Sequence, residues 1–463
     1  MKYKIFFSII ISFILYGCAN QLPPSGGDDD RIPPKIIYIY PKPNSVNFHD
    51  NKIILRFDEY VDRRSLEESF LISPKPDGET EFNWSGKEVE IGFSRPLRMD
   101  KTYVIVIGNE LRDVRGSNTI TSPVSFAFST GDKIDDGSIS GKVLSDNFER
   151  IKIMAYIKSG KQEDSLNPEI NLSDYIKQVS PDGSYKLSNL PDGAFRLFAI
   201  TDEDRNNLYD KDIDKISILP KDLILTNDSN NIEEVNFLLK SFEPDKFSKD
   251  FISLLQPDSL NFISANIKNN EKDIPPDYRF YFYFRNNKLT KPDIVNNFTL
   301  KDTASDQVYR PVFNWINDSL VEVFTNEKLK SASSFEITID LSATAGNYIY
   351  KVRFHTAANN SFGKLSGKII TEGIPLYPVY VQLFNKENVF ISYSKKITDS
   401  IGFSFDEILA GNYTLFSFMD KDENGRFDKG NYFPFTPAEG FIIYGTELKI
   451  KGGWNIDNVF LNY

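Results

Sequence analysis

Hydrophobic positions along this chain come in short runs rather than in long helical stripes. Ile53, Leu55 and Phe57 alternate with positions that include the charged Arg56, as in a strand with one buried face. Tyr103 to Ile107 form a continuous apolar run that suits a central strand. Elsewhere, β-branched and aromatic runs are separated by Gly, Pro, Asn and Asp, without a long 3.6-residue period. The pattern predicts an all-β chain of tandem β-sandwich domains.

The first 17 residues have a different pattern, with two lysines in residues 1–4 and an apolar run from Ile5 to Leu15. This run is too short to span a bilayer, which needs about 20 residues. A basic start and a short apolar stretch are typical of a signal peptide. The run ends in Leu15-Tyr16-Gly17-Cys18, which resembles a bacterial lipoprotein lipobox, although Tyr16 departs from the usual small residue. The resemblance implies cleavage before Cys18, acylation of Cys18 and attachment to a membrane through a lipid anchor.

Residues 18–34 are predicted to form a flexible tether, because Pro, Gly and the charges of Asp28, Asp29 and Asp30 cannot bury enough apolar surface to fold. The three aspartates also resemble the acidic surface-export signal that follows the lipidated Cys in some bacteria with two membranes. A solvated linker is the alternative. The residue after the cysteine is Ala19 rather than Asp, which, by analogy with better-studied lipoproteins, argues against retention in the inner membrane. We therefore expect an outer membrane lipoprotein that faces the periplasm or the cell surface.

The rest of the chain contains an internal repeat, in which two kinds of segment, A and B, follow one another in the order A-B-A-B. Residues 139–143 (ISGKV) recur as residues 365–369 (LSGKI), and Gly193 recurs as Gly411 with an offset of 218. The predicted boundaries are a signal peptide at 1–17, a tether at 18–34, A segments at 35–131 and 258–358, and B segments at 137–242 and 363–463. Linkers are expected near 132–138, 241–258 and 357–362.

The first A segment contains four characteristic stretches: Phe57-Asp58-Glu59, Lys101 to Val106, Asp113-Val114-Arg115-Gly116, and Phe126 to Thr130. Together they resemble the bacterial Ig-like domains first noted in surface-layer proteins, which implies a small β-sandwich. The second A segment keeps Phe335 to Ile339 and the closing strand but has no clear Asp-x-x-Gly. It is interpreted as a divergent copy of the same domain.

The B segments contain Ser140 to Val143, Asp182 to Leu187, Leu190 to Gly193, and Phe195 to Leu197. These stretches resemble a carboxypeptidase-regulatory-like or collagen-adhesin-B-like domain with a prealbumin-like sandwich. The resemblance implies that the B segments are rigid spacers or stalks rather than catalysts.

Composition narrows the possible functions. The 463 residues carry 54 basic and 65 acidic side chains, a net charge of −11, which disfavours nucleic acid as a partner. With only His49, His355 and Cys18, the chain lacks a disulfide framework and any zinc site of several Cys or His residues. It also lacks most routes to an activated nucleophile. We therefore expect that the protein is not an enzyme.

Two acidic loops are candidate calcium sites. In the second B segment the pattern offers five ligands: Asp420, Asp422, Asn424, the carbonyl of Arg426, and Asp428. In the first B segment the corresponding residues are Asp202, Asp204, Asn206 and Asp210, with Asn207 in place of Gly425. Asn tolerates a positive φ, so the turn is expected to survive the replacement. The alternative is an acidic turn without metal.

A second candidate is the aromatic stretch from Tyr278 to Arg285. Alternation places Phe280 and Phe282 in the core and Tyr281 and Tyr283 on the outer face. Two exposed tyrosines could stack on sugar rings or on a peptide. The alternative is packing within the sheet or against a neighbouring domain.

The favoured function is a non-catalytic, lipid-anchored cell-envelope protein that acts as a structural spacer or interaction scaffold for an unknown protein or glycan partner. The first alternative is a surface module that binds a glycan or a peptide. The least favoured is a glycoside hydrolase built on carboxylate pairs such as Asp58 with Glu59 or Glu110 with Asp113. Such pairs are expected by chance among 65 acidic residues.

Overall fold

A computed structural model describes residues 29–158, 165–285, 289–346, 348–371, 373, 375–398 and 400–463. The predicted signal peptide, Cys18 and the tether up to Asp28 lie outside the described residues. No helix within the described ranges is long and apolar enough to cross a membrane. The chain divides into two compact units: residues up to Ser138 with Asp174–Ser180 and Leu187–Pro191, and Ile139–Ser173 with Pro181–Lys186 and Asp192–Tyr463. The four predicted domain boundaries stay a prediction.

The first unit contains a two-sheet sandwich. Its elements are β1 Ile36–Tyr40, β2 Lys52–Phe57, α1 Arg63–Ser69, β3 Phe70–Ser73, β4 Thr80–Ser85, β5 Glu88–Phe93, β6 Thr102–Ile107 and β7 Val124–Ser129. One sheet has the order β1-β2-β5-β4 and the other β3-β6-β7. Ile53, Leu55 and Phe57 are fully buried, as their alternation predicts. Helix α1 begins after Asp62, whose side chain accepts a hydrogen bond from the N–H of Ser65.

The first B segment follows. Its strands are β8 Gly137–Leu144, β9 Ile151–Lys158, β10 Tyr175–Gln178, β11 Ser184–Leu190, β12 Gly193–Thr201, β13 Ile216–Ile218, β14 Leu223–Leu225, β15 Asn231–Ile232 and β16 Phe237–Leu238. Strand β12 pairs in antiparallel fashion with β9, β13 and β14. Strand β8 pairs in parallel with β16. Residues of β9 and β12 are buried over most of their length, and these mostly apolar strands also bury the charged Lys152 and Arg196.

The second A segment is a sandwich of two five-stranded sheets. The region begins with α2 Lys249–Ser253, β17 Gln256–Pro257, β18 Ile263–Ala265, β19 Glu271–Ile274, β20 Phe280–Phe284 and α3 Lys291–Asn296. It continues with β21 Phe298–Asp302, β22 Val308–Tyr309, β23 Pro311–Trp315, β24 Leu320–Thr325, β25 Ser334–Leu341 and β26 Tyr348–Thr356. The sheet orders are β17-β18-β20-β24-β23 and β19-β26-β25-β21-β22. Phe280 and Phe354 pack across the two sheets with ring centroids 5.2 Å apart.

The second B segment closes the chain. A 3₁₀ turn at Asn359–Ser361 precedes β27 Phe362–Ile370, β28 Val379–Asn385, β29 Ser392–Ile397, β30 Gly402–Leu409, β31 Gly411–Met419, β32 Asn431–Tyr432, β33 Phe435–Thr436, β34 Phe441–Ile443, β35 Leu448–Ile450 and β36 Asn455–Asn462. One sheet has the order β30-β27-β36, with β27 and β36 parallel. The other has the order β29-β28-β31-β34, and β35 also pairs with β31. The hairpin β32–β33 stands apart from both sheets.

The two B segments repeat the same strand pairing. Gly193 at the start of β12 pairs with Leu225, and Gly411 at the start of β31 pairs with Ile450. In both copies the first strand has a parallel neighbour from the end of the segment. The structure therefore carries the repeat that the sequence shows between residues 193 and 411.

The segment expected as a linker at 241–258 is partly folded. It contains α2 and β17, and Phe251 in α2 is only 2% exposed. Helix α2 begins after Ser248, whose hydroxyl accepts a hydrogen bond from the N–H of Phe251 at 3.1 Å. The linker predicted at 241–258 thus contains a short helix that buries an aromatic side chain, which the polar composition of the segment does not indicate.

Candidate functional site

The two predicted acidic loops follow the equivalent strands β12 and β31. In the second loop the Asp420 carboxylate is fully buried and accepts the N–H groups of Asn424 at 3.1 Å and Gly425 at 2.9 Å. The Asp422 carboxylate also accepts the Asn424 N–H, and the Asn424 side-chain oxygen accepts the Arg426 N–H at 2.7 Å. These bonds fold the loop into consecutive tight turns around Asp420.

The first loop repeats this arrangement. The buried Asp202 carboxylate accepts the Asn207 N–H at 3.3 Å, and the Asn206 oxygen accepts the Leu208 N–H at 2.6 Å. Asn207 has φ 61°, like Gly425 with φ 77° at the equivalent position. The expectation that Asn207 would support the same turn is confirmed.

A second carboxylate holds each loop closed. Glu439 accepts the N–H groups of Lys421 at 2.6 Å and Asp428 at 3.1 Å. In the first copy Asp214 accepts the equivalent N–H groups of Glu203 at 3.0 Å and Asp210 at 2.9 Å. Sequence reasoning missed both residues, because their distance from the loop differs between the copies and no fixed spacing marks them.

The loops differ in the charge that faces them. In the first copy the Lys152 ammonium donates to Asp202 Oδ2 at 2.5 Å and to Asn207 Oδ1 at 2.7 Å. Lys152 pairs with Ile200 in the sheet. In the second copy the equivalent of Ile200 is Phe418, and it pairs with Tyr380. Asp202 of the first loop is thus paired with a lysine, whereas no ion pair to Asp420 of the second loop is found in the part of the chain that the structure describes. A lysine within the apolar strand Ile151–Lys158 was the available sequence signal.

The second loop brings three carboxylates together. Oxygen atoms of Asp420, Asp422 and Glu439 all lie within 4.8 Å of one another. Burial raises the pKa of Glu439, and the charges of Asp420 and Asp428 raise it further. Carboxylate oxygen is the kind of ligand that Ca²⁺ takes, but a calcium shell needs six to eight oxygens, so calcium binding at this loop stays a prediction.

The remaining predicted ligands serve other roles. Asn424 uses its oxygen in the turn to Arg426, and Asp428 is exposed and contributes its backbone N–H to Glu439. In the first loop Asp204 bonds the Asn206 side chain at 2.7 Å, and Asp210 accepts the Asp212 N–H at 3.1 Å. The structure therefore brings Asp420 and Asp422 together with Glu439 rather than with Asn424 and Asp428.

The hairpin β32–β33 extends from the second loop and packs against the first B segment within the second unit. The Tyr432 hydroxyl donates to Glu169 at 2.8 Å, and its ring lies 4.8 Å from that of Tyr209. The Arg196 guanidinium stacks 3.4 Å from the centroid of Phe435. Burial and the neighbouring Glu169 raise the pKa of Tyr432 to about 12. The loop and the contact between B segments are thus physically connected.

Tyr281 does not lie on an exposed face, so its predicted role in glycan or peptide binding is not supported by its position. It is 5% exposed, and its hydroxyl donates to Glu322 at 2.6 Å. The prediction is wrong because α2 covers this side of the sheet, and Phe251 packs on Tyr281 with ring centroids 5.1 Å apart. Tyr283 is partly exposed and lies beneath Arg285.

Tyr281 belongs to a buried polar group around Glu322. Asn314 donates to Glu322 at 3.0 Å, and Lys246 and Arg279 lie 3.4 and 3.3 Å from it. Burial raises the pKa of Glu322, but the hydrogen bonds from Tyr281 and Asn314 and the two positive charges outweigh burial and lower the pKa to about 2. Glu322 is therefore ionised, and its carboxylate is held by Tyr281, Asn314 and the two positive charges.

Another acidic group lies in the first unit, where oxygens of Asp30, Glu59 and Asp113 approach within 4.8 Å beside an open cavity of about 660 Å³. Asp113 accepts hydrogen bonds from the Gly116 N–H at 2.6 Å and from the Asn118 side chain at 2.7 Å. Burial raises the pKa of Asp113, but these bonds outweigh burial and lower it. The Asp113 carboxylate thus stabilises a turn of its own loop. The Asp58 carboxylate likewise accepts a backbone hydrogen bond, from the Lys35 N–H at 2.8 Å.

Residues 30–130 match the family model of the bacterial Ig-like domain. This confirms the resemblance of the first A segment, and the chain is built of tandem β-sandwiches that include a bacterial Ig-like domain. The prealbumin-like interpretation of the B segments stays a prediction. No curated protein matches the chain.

Three solved structures are similar to parts of the chain. An L,D-transpeptidase from Mycobacterium smegmatis is 17% identical over 36% of this chain and 60% of its own, with a TM-score of 0.17. The major pilin subunit of Bacillus cereus is 9% identical over 71% of this chain and 99% of its own, with a TM-score of 0.17. Domains 1–6 of surface layer protein SbsC are 12% identical over 85% of this chain and 66% of its own, with a TM-score of 0.16.

Proposed function

We propose that this chain is a non-catalytic cell-envelope protein, attached to the outer membrane by a lipid on Cys18, whose β-sandwiches form a stiff scaffold for a protein or glycan partner. The observation that carries the scaffold role is the packing between segments in the second unit. Phe242, at the end of the first B segment, lies 5.3 Å from the rings of both Phe384 and Phe416 in the second. Such contacts restrict the motion expected of free linkers.

The buried position of Tyr281 and the turn role of Asp113 favour this function over a tyrosine-based binding module and over a carboxylate hydrolase. A bacterial Ig-like domain in the chain supports a structural role in the cell envelope. The lipid anchor rests on the sequence around Cys18 alone.

The scaffold role is tested by spin labels on the two B segments. With Cys18→Ser the chain has no cysteine, so Lys142→Cys and Lys396→Cys, two exposed positions, can carry the labels. We expect electron paramagnetic resonance to show a narrow distribution of distances between the two spin labels, and a broader distribution after Phe242→Ala. A broad distribution in the chain without Phe242→Ala would contradict a stiff scaffold.

The anchor is tested separately in cells fed a palmitate analogue. Cys18→Ser should abolish labelling, because it removes the only thiol, whereas Ser25→Ala in the tether should leave labelling unchanged. Protease added to intact cells distinguishes a surface location, where the chain is digested, from a periplasmic one. Unchanged labelling of the Cys18→Ser chain would refute the lipid anchor.

A further inference from the structure

We propose that the end of the sheet β30-β27-β36, where Ile370 and Phe460 lie, is an interaction surface for a partner protein that presents an aromatic face of a β-sheet. The equivalent end of the first B segment binds such a face within this chain. The inference rests on the proposed scaffold function and deepens it, because it names the class of partner that the scaffold would hold.

The first B segment packs its own end against the second B segment. Leu144 at the end of β8 and Leu238 at the end of β16 join Phe242 in one apolar cluster with the sheet β29-β28-β31-β34. The face of that sheet in this cluster, which we call the aromatic face, is formed by Tyr380, Phe384, Phe416, Phe418 and Phe441. The opposite face of the same sheet packs into the core of its own segment. The aromatic face thus has the first B segment as its cover.

The ends of the two B segments have the same backbone frame. In each copy the first strand pairs in parallel with a strand from the end of its segment. The Leu239 N–H donates to the Leu144 carbonyl at 3.0 Å, and the Tyr463 N–H donates to the Ile370 carbonyl at the same distance of 3.0 Å. Leu144 and Ile370 each directly follow the repeated Ser-Gly-Lys motif and its buried apolar residue. Ile370 therefore stands in the second copy where Leu144 stands in the first.

The end of the second B segment is apolar and exposed. Ile370 is 44% exposed, and Phe460 in the adjacent strand β36 is 49% exposed. Phe460 lies on the outward face of the sheet, because the residues on either side of it are buried. Asn462 takes the register position of Leu238, so Phe460 rather than a leucine provides the second apolar side chain. Apolar side chains grouped on one exposed face are typical of interaction surfaces.

The face that this end would bind has to come from another protein. The aromatic face of the second B segment is covered by the first, as described above. In the first B segment the equivalent residues Tyr156 and Phe198 are 3% and 0% exposed, and the ring of Phe435 lies 6.4 Å from that of Phe198. The hairpin β32–β33 therefore covers the other face of this kind. Aromatic side chains are also enriched at interfaces between proteins.

The test uses the mature chain from residue 18 with Cys18→Ser, so that no lipid causes association. An opened chain also carries Leu144→Asp, Phe242→Ala and Phe435→Ala, which remove the cover from the aromatic face. The end of one molecule can then bind the uncovered face of the next, and such head-to-tail contacts form open chains. In sedimentation velocity we expect the mass of the opened chain to at least double, whereas the chain without the three changes should stay a monomer.

Substitutions at the proposed surface identify the contact. In the opened chain, Ile370→Asp and Phe460→Asp should each restore the monomer, because each places a charge on the surface. The matched control Ile224→Asp changes a residue of the first B segment that is 63% exposed, and should leave the association unchanged. Association that persists in both surface variants would overturn the proposal, since the uncovered face would then bind elsewhere.

Two further outcomes would contradict the proposal. A monomeric opened chain would overturn the surface, while a narrow distribution of spin-label distances in the chain without the three changes would still support the scaffold. Association of the chain without the three changes, abolished by Ile370→Asp, would make a second copy the occupant instead of another protein. The spin-label distances should broaden in the opened chain, and a narrow distribution there would overturn the interface from which the partner is inferred.

Discussion

Lys152 and Tyr380 occupy the same register position in the two B segments, since Lys152 pairs with Ile200 and Tyr380 with Phe418. Only Lys152 brings a positive charge to the buried aspartate of its loop, at 2.5 Å from Asp202. This one difference in a duplicated strand thus leaves Asp202 with a lysine partner, whereas no ion pair to Asp420 is found among the described residues.

The Lys152–Asp202 pair yields a first prediction. Lys152→Met should lower the free energy of unfolding by about 3–5 kcal/mol, because the change leaves Asp202 buried without its partner. Urea unfolding in the presence of chelator measures the loss. Lys211→Met, at an exposed position beside the same loop, should change stability by less than about 0.5 kcal/mol. Similar values for the two variants would contradict a structural role for the buried pair.

The repeated Ser-Gly-Lys motif yields a second prediction. A Cβ on Gly367 would lie 2.2 Å from the carbonyl oxygen of Val459 in the parallel strand β36 and 2.5 Å from the ring of Phe403. Gly367→Ala should therefore cost about 1–3 kcal/mol through overpacking. Gly402→Ala in the neighbouring strand β30 meets nothing within 4 Å and is the control. Equal melting temperatures for the two variants would refute the close approach.

These cases show how far the sequence could lead. The alternation of apolar residues suffices to predict the all-β sandwiches, because it reflects the local period of a strand. The internal repeat suffices to predict that Gly193 and Gly411 are equivalent, because it reflects a duplication. The group of Asp420, Asp422 and Glu439 could not be predicted, since Glu439 reaches the loop through tertiary folding. Likewise, strand alternation gives the face of Tyr281 but does not reveal that Phe251 covers it.

The group around Glu322 yields a prediction about pH. Its pKa is lowered from 4.5 to about 2 in the folded chain, so the native state favours the ionised form. The stabilisation is complete above about pH 4.5 and is lost as the pH falls through about 2. Urea unfolding at pH 5 and at pH 2.5 should show a larger loss of stability in the wild-type chain than in Glu322→Gln. Glu327→Gln, at an exposed position, should behave like the wild type.

The aromatic contact of α2 yields the last prediction, on proteolysis. Phe251 is 2% exposed and packs on Tyr281 and Phe390, so the region from 245 to 257 should resist brief digestion in the wild-type chain. Phe251→Ala removes about 3–5 kcal/mol of packing. If cleavage requires local opening, a loss of 3 kcal/mol raises the cleavage rate by about 100-fold. Phe247→Ala changes an aromatic residue that is 75% exposed in the same segment, and should leave the rate unchanged. Rapid cleavage of the wild-type segment would instead mean that α2 does not hold Tyr281 in the core.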